Sequence, residues 1–554
     1  MNYSMASREN RFDDSLMSNS QRRSTILIRD FLFVLVAILN SIGMMVCAQD
    51  SSAYSDSSAI KSINELQQLA LKVAAEAFVE SPELPKAWSE LTYDEFRKVV
   101  FDPNKAIWRK EGAPFFLEAF HRGFVHRDRV MLHSIENGLV KPIPFDTALF
   151  DYRGVLSGKD LKSNFGFAGY RVVGKFPGKS DWQEMLTLLG ASYFRARTDT
   201  GVYGASARGL AIDVGLSRAE EFPVFRSYWV EKPADGSTKV SFFALMDSPS
   251  VVGAYQFIFA PGTDRTVVDV NATLYFRRIP ERVGVAPLTS MWMWGDGLAG
   301  PKEDSRPEVH DSDSLLIHSR APDQSDRWTC RSLMRQNYPS IVQLSQTDLV
   351  GFGLVQRDTL QDHYKDNEAK YHLRPSLWVE PTTNWGEGAI HLLELPAEHE
   401  GIDNIAVWWT PKQPIALLTA VPLSYRVTFA SGDPTDHSLL KVVAHRIQRP
   451  SGDNKVFEIG LDFALIGKIV DVQDRSKVKA VVSGVRCDIE HSKSQRNEDG
   501  SWTTTLRVLP TTVADPFELN VQLFNDGRPM SEAWGYLCPI QPPPVVLPPW
   551  RQKP

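Results

Sequence analysis

Two hydrophobic periods run along this chain. Between Ser62 and Val79 the apolar residues Ile63, Leu66, Leu69, Ala70, Val73 and Ala77 fall three and four apart, which predicts one amphipathic helix. Beyond it the period drops to two. Val268, Val270, Ala272, Leu274 and Phe276 alternate with Asp269, Asn271, Thr273 and Tyr275, the pattern of a strand with one buried face. Lys239 to Met246 reads as a second strand, closed by Asp247-Ser248-Pro249, and Leu423 to Phe429 as a third. Short strands with Gly, Pro and Asp punctuation, and few helical stretches, predict an all-β protein built on a large N-terminal β-sandwich.

The turn-forming string Ser431-Gly432-Asp433-Pro434-Thr435-Asp436 interrupts this pattern and marks a boundary. After it Trp502, Thr504, Leu506 and Val508 alternate, as do Phe517, Leu519, Val521 and Leu523 ahead of the turn Asn525-Asp526-Gly527. Roughly 100 residues of such strands predict a small immunoglobulin-like β-sandwich. The expected division is a large domain over 61–431, a linker over 432–439, the immunoglobulin-like domain over 440–543 and a proline-rich tail over 544–554.

The N-terminus has the three-part layout of an export signal. Arg22-Arg23 and Arg29 precede an apolar run from Phe31 to Val46, and Val46-Cys47-Ala48 places small residues at a cleavage site before Gln49. The run is short for a membrane span. Residues 1–48 therefore read as a cleaved signal for the periplasm and 49–60 as a spacer. The arginine pair suggests the twin-arginine route; the lack of Phe two residues beyond it leaves Sec export open.

The formal net charge of −6 comes with no basic block, which argues against nucleic acid as a partner. Several of the 14 tryptophans stand beside acidic or amide residues, a combination that suits carbohydrate, whose C–H face stacks on a ring while its hydroxyls take polar partners. Outside the leader only Cys330, Cys487 and Cys538 remain, so at most one internal disulfide can form, with Cys487 and Cys538 as one candidate pair. No CxxC spacing is present; neither a metal nor another cofactor is expected.

Glycosidic chemistry usually takes two carboxyl groups, one to protonate the leaving oxygen and one to assist the nucleophile. Asp403 precedes the apolar segment Ala406-Val407-Trp408-Trp409, where desolvation favours a protonated carboxyl, although an ordinary strand-ending aspartate fits the same string. Asp311 sits in Arg306-Pro307-Glu308-Val309-His310-Asp311-Ser312-Asp313, a His/Asp cluster without metal-ligand spacing. Tyr371 and Arg374, in Lys370-Tyr371-His372-Leu373-Arg374-Pro375, are suited to sugar hydroxyls, although an arginine before proline in a strand-like run is as often structural. Trp292, Trp294 and Trp385 are candidate stacking platforms, with burial in the core as the alternative for each. Gly295-Asp296-Gly297 lacks a surrounding βα unit and is no nucleotide loop.

At these segments the chain resembles the periplasmic glucan biosynthesis proteins of the OpgG/OpgD (formerly MdoG/MdoD) family. The resemblance rests on Gly190-Ala191-Ser192-Tyr193-Phe194-Arg195, Val202-Tyr203-Gly204-Ala205-Ser206-Ala207-Arg208-Gly209-Leu210-Ala211 and Glu220-Glu221-Phe222-Pro223. It continues through Ala244-Leu245-Met246-Asp247-Ser248-Pro249, Gly284-Val285-Ala286-Pro287-Leu288-Thr289-Ser290-Met291, the Arg306–Ser312 string, Gly351-Phe352-Gly353-Leu354, Leu373-Arg374-Pro375-Ser376 and Asp403-Asn404-Ile405. The leader is closer to the D branch. The resemblance implies action on β-1,2-glucan as in glycoside hydrolase family 186, with Asp403 as general acid and Asp311 as general base. It also implies that Tyr371, Arg374 and Glu400 lie at the cleaved bond or its proton path, and that an inner-membrane glucan synthase is a partner. An inverting pair would stand roughly 6.5 Å or more apart across one cleft. A non-catalytic glucan-binding or scaffold protein is the alternative.

Overall fold

The computed structural model describes residues 60–540 except 157–160, 450–454, 466–476 and 513–514. The export signal and the proline-rich tail lie outside the described residues, as does the spacer apart from Ile60. Among the described residues, the chain is all-β around two large sheets, one of ten strands and one of fifteen.

The predicted helix forms over Ile63–Ala74, shorter at its C-terminal end than the apolar period suggested. Ser62 caps its N-terminus by accepting from the Glu65 N–H, one of the donors a helix leaves unpaired. Its end is set from outside: the Arg277 guanidinium donates to the carbonyls of Val73 and Glu76 at 2.8 and 2.9 Å and to Asp247 at 2.6 Å. Leu66, Leu69, Ala70 and Val73 are buried, packed mainly against the strands Val251–Ala260 and Arg265–Phe276. The helix thereby covers part of a face that alternation alone would leave to water. Thr273 and Tyr275 are buried while Asn271 stays exposed, and Gln67 donates to the Thr273 hydroxyl at 2.9 Å.

The predicted strands appear as Val240–Asp247, Arg265–Phe276, Val421–Ala430, Trp502–Pro510 and Phe517–Asn525. Val268, Val270, Ala272, Leu274 and Phe276 turn into the core between the sheets, as the period of two requires. In the fifteen-stranded sheet Arg265–Phe276 pairs antiparallel with both Val251–Ala260 and Val421–Ala430. In the ten-stranded sheet Val283–Ser290 pairs antiparallel with Ile405–Pro411 and with Ser206–Arg208. These strands and their ends carry the candidate site.

From residue 441 onward, Lys441–Gln448, Phe457–Ala464, Trp502–Pro510 and Cys487–Arg496 make a separate four-stranded sheet. Val478–Val485, Phe517–Asn525 and Ala533–Cys538 instead extend the fifteen-stranded sheet, because Ala533–Cys538 pairs in parallel with Asp326–Ser332. Phe457 meets Phe517 edge-on at 5.0 Å across the two layers. The seam with the preceding strands is ionic as well. Arg357, buried, holds Glu532 with two hydrogen bonds of 2.7 Å and Asp433 with an ion pair of 2.8 Å, while Lys441 reaches Asp433 at 3.1 Å.

Cys330, Cys487 and Cys538 are all free thiols, so the candidate pair is not joined. Trp292 and Trp294 are core residues, 2 % and 1 % exposed, and neither offers a face to a ligand. Burial requires their polar edges to be satisfied: Trp294 Nε1 donates to the Arg306 carbonyl at 3.0 Å.

Candidate functional site

Four consecutive residues at the end of the strand Val283–Ser290 gather the two carboxylate segments. The Thr289 hydroxyl donates to Asp403 Oδ2 at 3.2 Å. Ser290 and Ser312 share a hydroxyl hydrogen bond of 2.9 Å, and the Met291 carbonyl accepts from the Asp311 N–H at 2.8 Å. Trp292 is clamped by Asn404, whose Oδ1 accepts from the Trp292 N–H at 2.8 Å while its Nδ2 donates to the Trp292 carbonyl at 2.9 Å. Asn404 is fully buried and also donates to the Leu395 carbonyl at 3.1 Å. Its neighbour Asp403 is thus fixed in backbone position just before the strand Ile405–Pro411.

The two carboxylates have unequal surroundings. The Asp403 side chain is 38 % exposed, with Arg195 Nη2 at 3.8 Å from its Oδ2, so it is not desolvated as its place before an apolar segment suggested: it stands outside the strand, on the loop before Ile405. Asp311 is 3 % exposed and takes a 2.5 Å hydrogen bond from Arg374 Nη1. Burial pushes the Asp311 carboxyl above the usual aspartate range; Arg374 opposes the shift and the negative charge of Asp403 adds to it. The two groups are therefore within electrostatic reach of each other.

Arg374 is held from below. Its guanidinium lies 4.5 Å from the centre of the Tyr371 ring, and its Nε and Nη2 donate to the Ala369 carbonyl at 3.3 and 3.2 Å. Tyr371 is buried on a single 3-10 turn, Tyr371–Leu373. Burial raises its phenol well above the ordinary value, with Glu400 and Asp311 adding to the shift and Arg374 opposing it. Glu400 stands one ion pair further out, 2.7 Å from Arg306. Arg306 is 4 % exposed, binds Asp304 and Asp366 as well, and lies over the Trp294 ring. Asp403 and Asp311 meet on the Thr289–Trp292 run, Tyr371 and Arg374 stand behind Asp311, and Glu400 connects through the Arg306 cluster.

Other groups at the site gave no chemical signal in the sequence. Arg195 donates to the Ser206 hydroxyl at 2.5 Å beside Asp403. Arg208 lies 5.0 and 4.9 Å from the ring centres of Tyr193 and Phe222, and Phe222 is 45 % exposed, an aromatic face at the site's edge. Thr289, Ser290 and Arg195 occur only inside strings read as a family resemblance. Thr289 and Ser290 act through partners 114 and 22 positions away, and Arg195 reaches Asp403 from a strand far earlier in the chain. Glu308, Asp358 and His363 bring three ligand-type atoms within 4.8 Å, but Glu308 is bonded to His310 at 2.8 Å and Asp358 to His363 at 2.5 Å, so these groups satisfy one another.

Fold and site together define an all-β, double-sheet protein with an acidic site in which arginines accompany two carboxylates of unequal exposure. The family model described as "Periplasmic glucan biosynthesis protein, MdoG" matches residues 62–538, and the chain belongs to that family. A "Probable glucans biosynthesis protein D" of Shewanella oneidensis is 37% identical over 87% of this chain and 88% of its own. A "Glucans biosynthesis protein G" of Rhodopseudomonas palustris is 36% identical over 85% and 92%. A solved structure of Slr1438 from Synechocystis, 11% identical over 64% of this chain and 98% of its own, aligns with a TM-score of 0.14, too low to bear on the fold.

Proposed function

We propose that this protein acts in the periplasm on β-1,2-linked glucan, as an endo-hydrolase or transglycosylase that sets the length and structure of osmoregulated periplasmic glucans. The observation that carries the reading is the joint anchoring of Asp403 and Asp311 on Thr289–Met291, within a match that spans 62–538. In this reading Asp403 delivers a proton to the bridging oxygen and Asp311 removes one from the attacking water or sugar hydroxyl. Water as nucleophile gives hydrolysis; a sugar hydroxyl gives transglycosylation. A base whose proton affinity is raised towards the working pH is a stronger base, and burial does this to Asp311. Tyr371, Arg374 and Glu400 bind the substrate around the cleaved bond.

The same raised affinity also favours the converse assignment, with Asp311 as the proton donor. Asp403 is preferred as the acid because it is the carboxylate open to a leaving oxygen, whereas Asp311 is 3 % exposed. The proposed body is residues 61–431, joined by 432–439 to the immunoglobulin-like domain at 440–543. The chain is exported with cleavage before Gln49, by the twin-arginine or the Sec route, and works with an inner-membrane glucan synthase. Incubation with linear β-1,2-glucan tests the activity. Shorter chains identify a hydrolase and cyclic or branched products a transglycosylase. Unchanged glucan that nonetheless binds would leave a non-catalytic glucan-binding protein.

A further inference from the structure

The strands Val283–Ser290 and Ile405–Pro411 have a second use at their opposite ends. Thr289 and the residue before Ile405 belong to the acidic site, whereas Val283, Val285, Trp409 and Pro411 line a cavity of about 670 Å³. Trp409 lies six positions beyond Asp403, about 20 Å along an extended chain. The cavity opens between the two sheets, where Leu274 and Phe276 of Arg265–Phe276 and Leu423 of Val421–Ala430 form its opposite wall. Its size falls within the range of small-molecule sites.

Its lining is unlike the rest of the chain. Charged residues make up 23% of the sequence, yet the lining contains no Asp, Glu, Lys or Arg, and no His. The interior is aliphatic and aromatic, with Trp385 6.2 Å from Trp409 and 5.8 Å from Tyr425 between ring centres. The rim carries only neutral polar groups, among them Gln67, Asn384 and Gln413. The lining offers no charge to a ligand; its polar groups are amides, hydroxyls and the Trp385 indole N–H, which is buried with no hydrogen-bond partner and is free to donate to a neutral head.

The two residues between the lining residues Ala416 and Thr419 are apolar and exposed. Leu417 and Leu418 are 54 % and 45 % exposed, next to Ile415 and Ala416 of the lining. Leu418 has a φ of +52°, uncommon for a branched side chain, and its N–H donates to the Phe276 carbonyl at 3.0 Å. Backbone strain of this kind clusters at ligand clamps.

We propose that this cavity binds an uncharged single-chain amphiphile, its alkyl chain between the sheets against Trp385 and Trp409 and its neutral head among the amides of the rim. Leu417 and Leu418 cover the chain where it enters. A charged head would lose water in a lining that offers it no counter-charge, so discrimination against an ionised head follows from the same residues. The site is independent of the proposed glucan chemistry.

The test is calorimetric titration of the purified protein with monolauroylglycerol below its micelle concentration, with laurate and a linear β-1,2-glucan oligomer alongside. Saturable one-to-one binding of monolauroylglycerol is expected, at least tenfold tighter than laurate. Ala416→Trp fills the mouth from an exposed position, so the fold tolerates it, and should weaken the monolauroylglycerol site at least tenfold without changing glucan affinity. Gln413→Lys, also exposed, should tighten laurate at least threefold. The proposal fails if monolauroylglycerol does not saturate, if laurate binds equally well, or if Ala416→Trp leaves amphiphile binding intact. Displacement of the amphiphile by the glucan oligomer would overturn it in favour of a second sugar site.

Discussion

Arg374 donates to the buried Asp311 at 2.5 Å from a guanidinium that also lies over Tyr371 and donates to the Ala369 carbonyl. The arginine is fixed on three sides, so its charge acts on Asp311 from a set direction. It offsets part of the cost of burying that carboxylate, and Asp403, with Arg195 beside it, adds a second charge to the same local field.

Asp403→Asn should reduce turnover of linear β-1,2-glucan by on the order of a hundredfold to ten-thousandfold, the usual range for loss of a general acid. The amide keeps the Thr289 contact but has no acidic proton to give. Glucan affinity should change little, as calorimetry on the variant would show. Ordinary turnover would remove Asp403 from the mechanism.

The division of roles can be read from leaving-group dependence. If Asp403 is the acid, a glycosyl fluoride needs no protonation at its leaving group and should restore much of the rate lost in Asp403→Asn. Asp311→Asn should show no such rescue, because its nucleophile still has to lose a proton. Rescue of Asp311→Asn alone would reverse the assignment.

Asp311 also gives the pH profile a sign. If its ionised form is active, the rising limb of the rate follows its titration. Arg374→Met removes the charge that lowers the Asp311 value, so that limb should move to higher pH. Arg195→Met should move it the same way and less, since Arg195 ranks below Arg374 among the charges lowering Asp311. Rates measured across pH with saturating glucan check both shifts; a limb unmoved in Arg374→Met would exclude Asp311 as the group titrating there.

The seam at Arg357 predicts acid lability. Burial alone would raise the Glu532 carboxyl, but Arg357 and His437 hold it down at about 2 against an ordinary 4.5. Asp433, likewise buried, is held at about 2 by Arg357 and Lys441. Both folded values are depressed, so their stabilisation is present above the unfolded values and is lost as pH falls from about 4.5 towards 2. Arg357→Met should destabilise the fold by about 3–5 kcal/mol at pH 7, because it removes the cation the two buried carboxylates share and leaves Glu532 with His437 and Asp433 with Lys441. The deficit in denaturant melts should shrink below pH 4; a constant deficit would refute the electrostatic account.

Glu394 has the opposite sign. It is 1 % exposed and accepts from the Met334 N–H at 2.8 Å, and burial pushes its carboxyl up to about 7. A raised acid costs stability as pH rises from the unfolded value through the folded one. Glu394→Gln should therefore stabilise the protein at pH 8, on the order of 2 kcal/mol, and much less at pH 5. Equal melting shifts at both pH values would count against it.

The period of two in Val268–Phe276 and in Phe517–Leu523 determined strands with one buried face, because a pleated backbone sends alternate side chains to opposite sides. The apolar period after Ser62 likewise determined a helix and its buried stripe. The end of that helix was decided elsewhere, by Arg277 about 200 positions on, which takes the terminal carbonyls. Thr273 and Tyr275 are buried because the helix lies over them, something no local alternation encodes. Trp292 and Trp294 had two readings as isolated tryptophans, and partners distant in sequence, Asn404 and His310 at Trp292 and Arg306 at Trp294, decided for the core. Family strings singled out Asp403 and Asp311 one at a time. Only the tertiary structure joined them, through hydrogen bonds from Thr289 and to Met291, because the pairing of strands distant in sequence sets which side chains meet, and it alone made one carboxylate open and the other buried against Arg374.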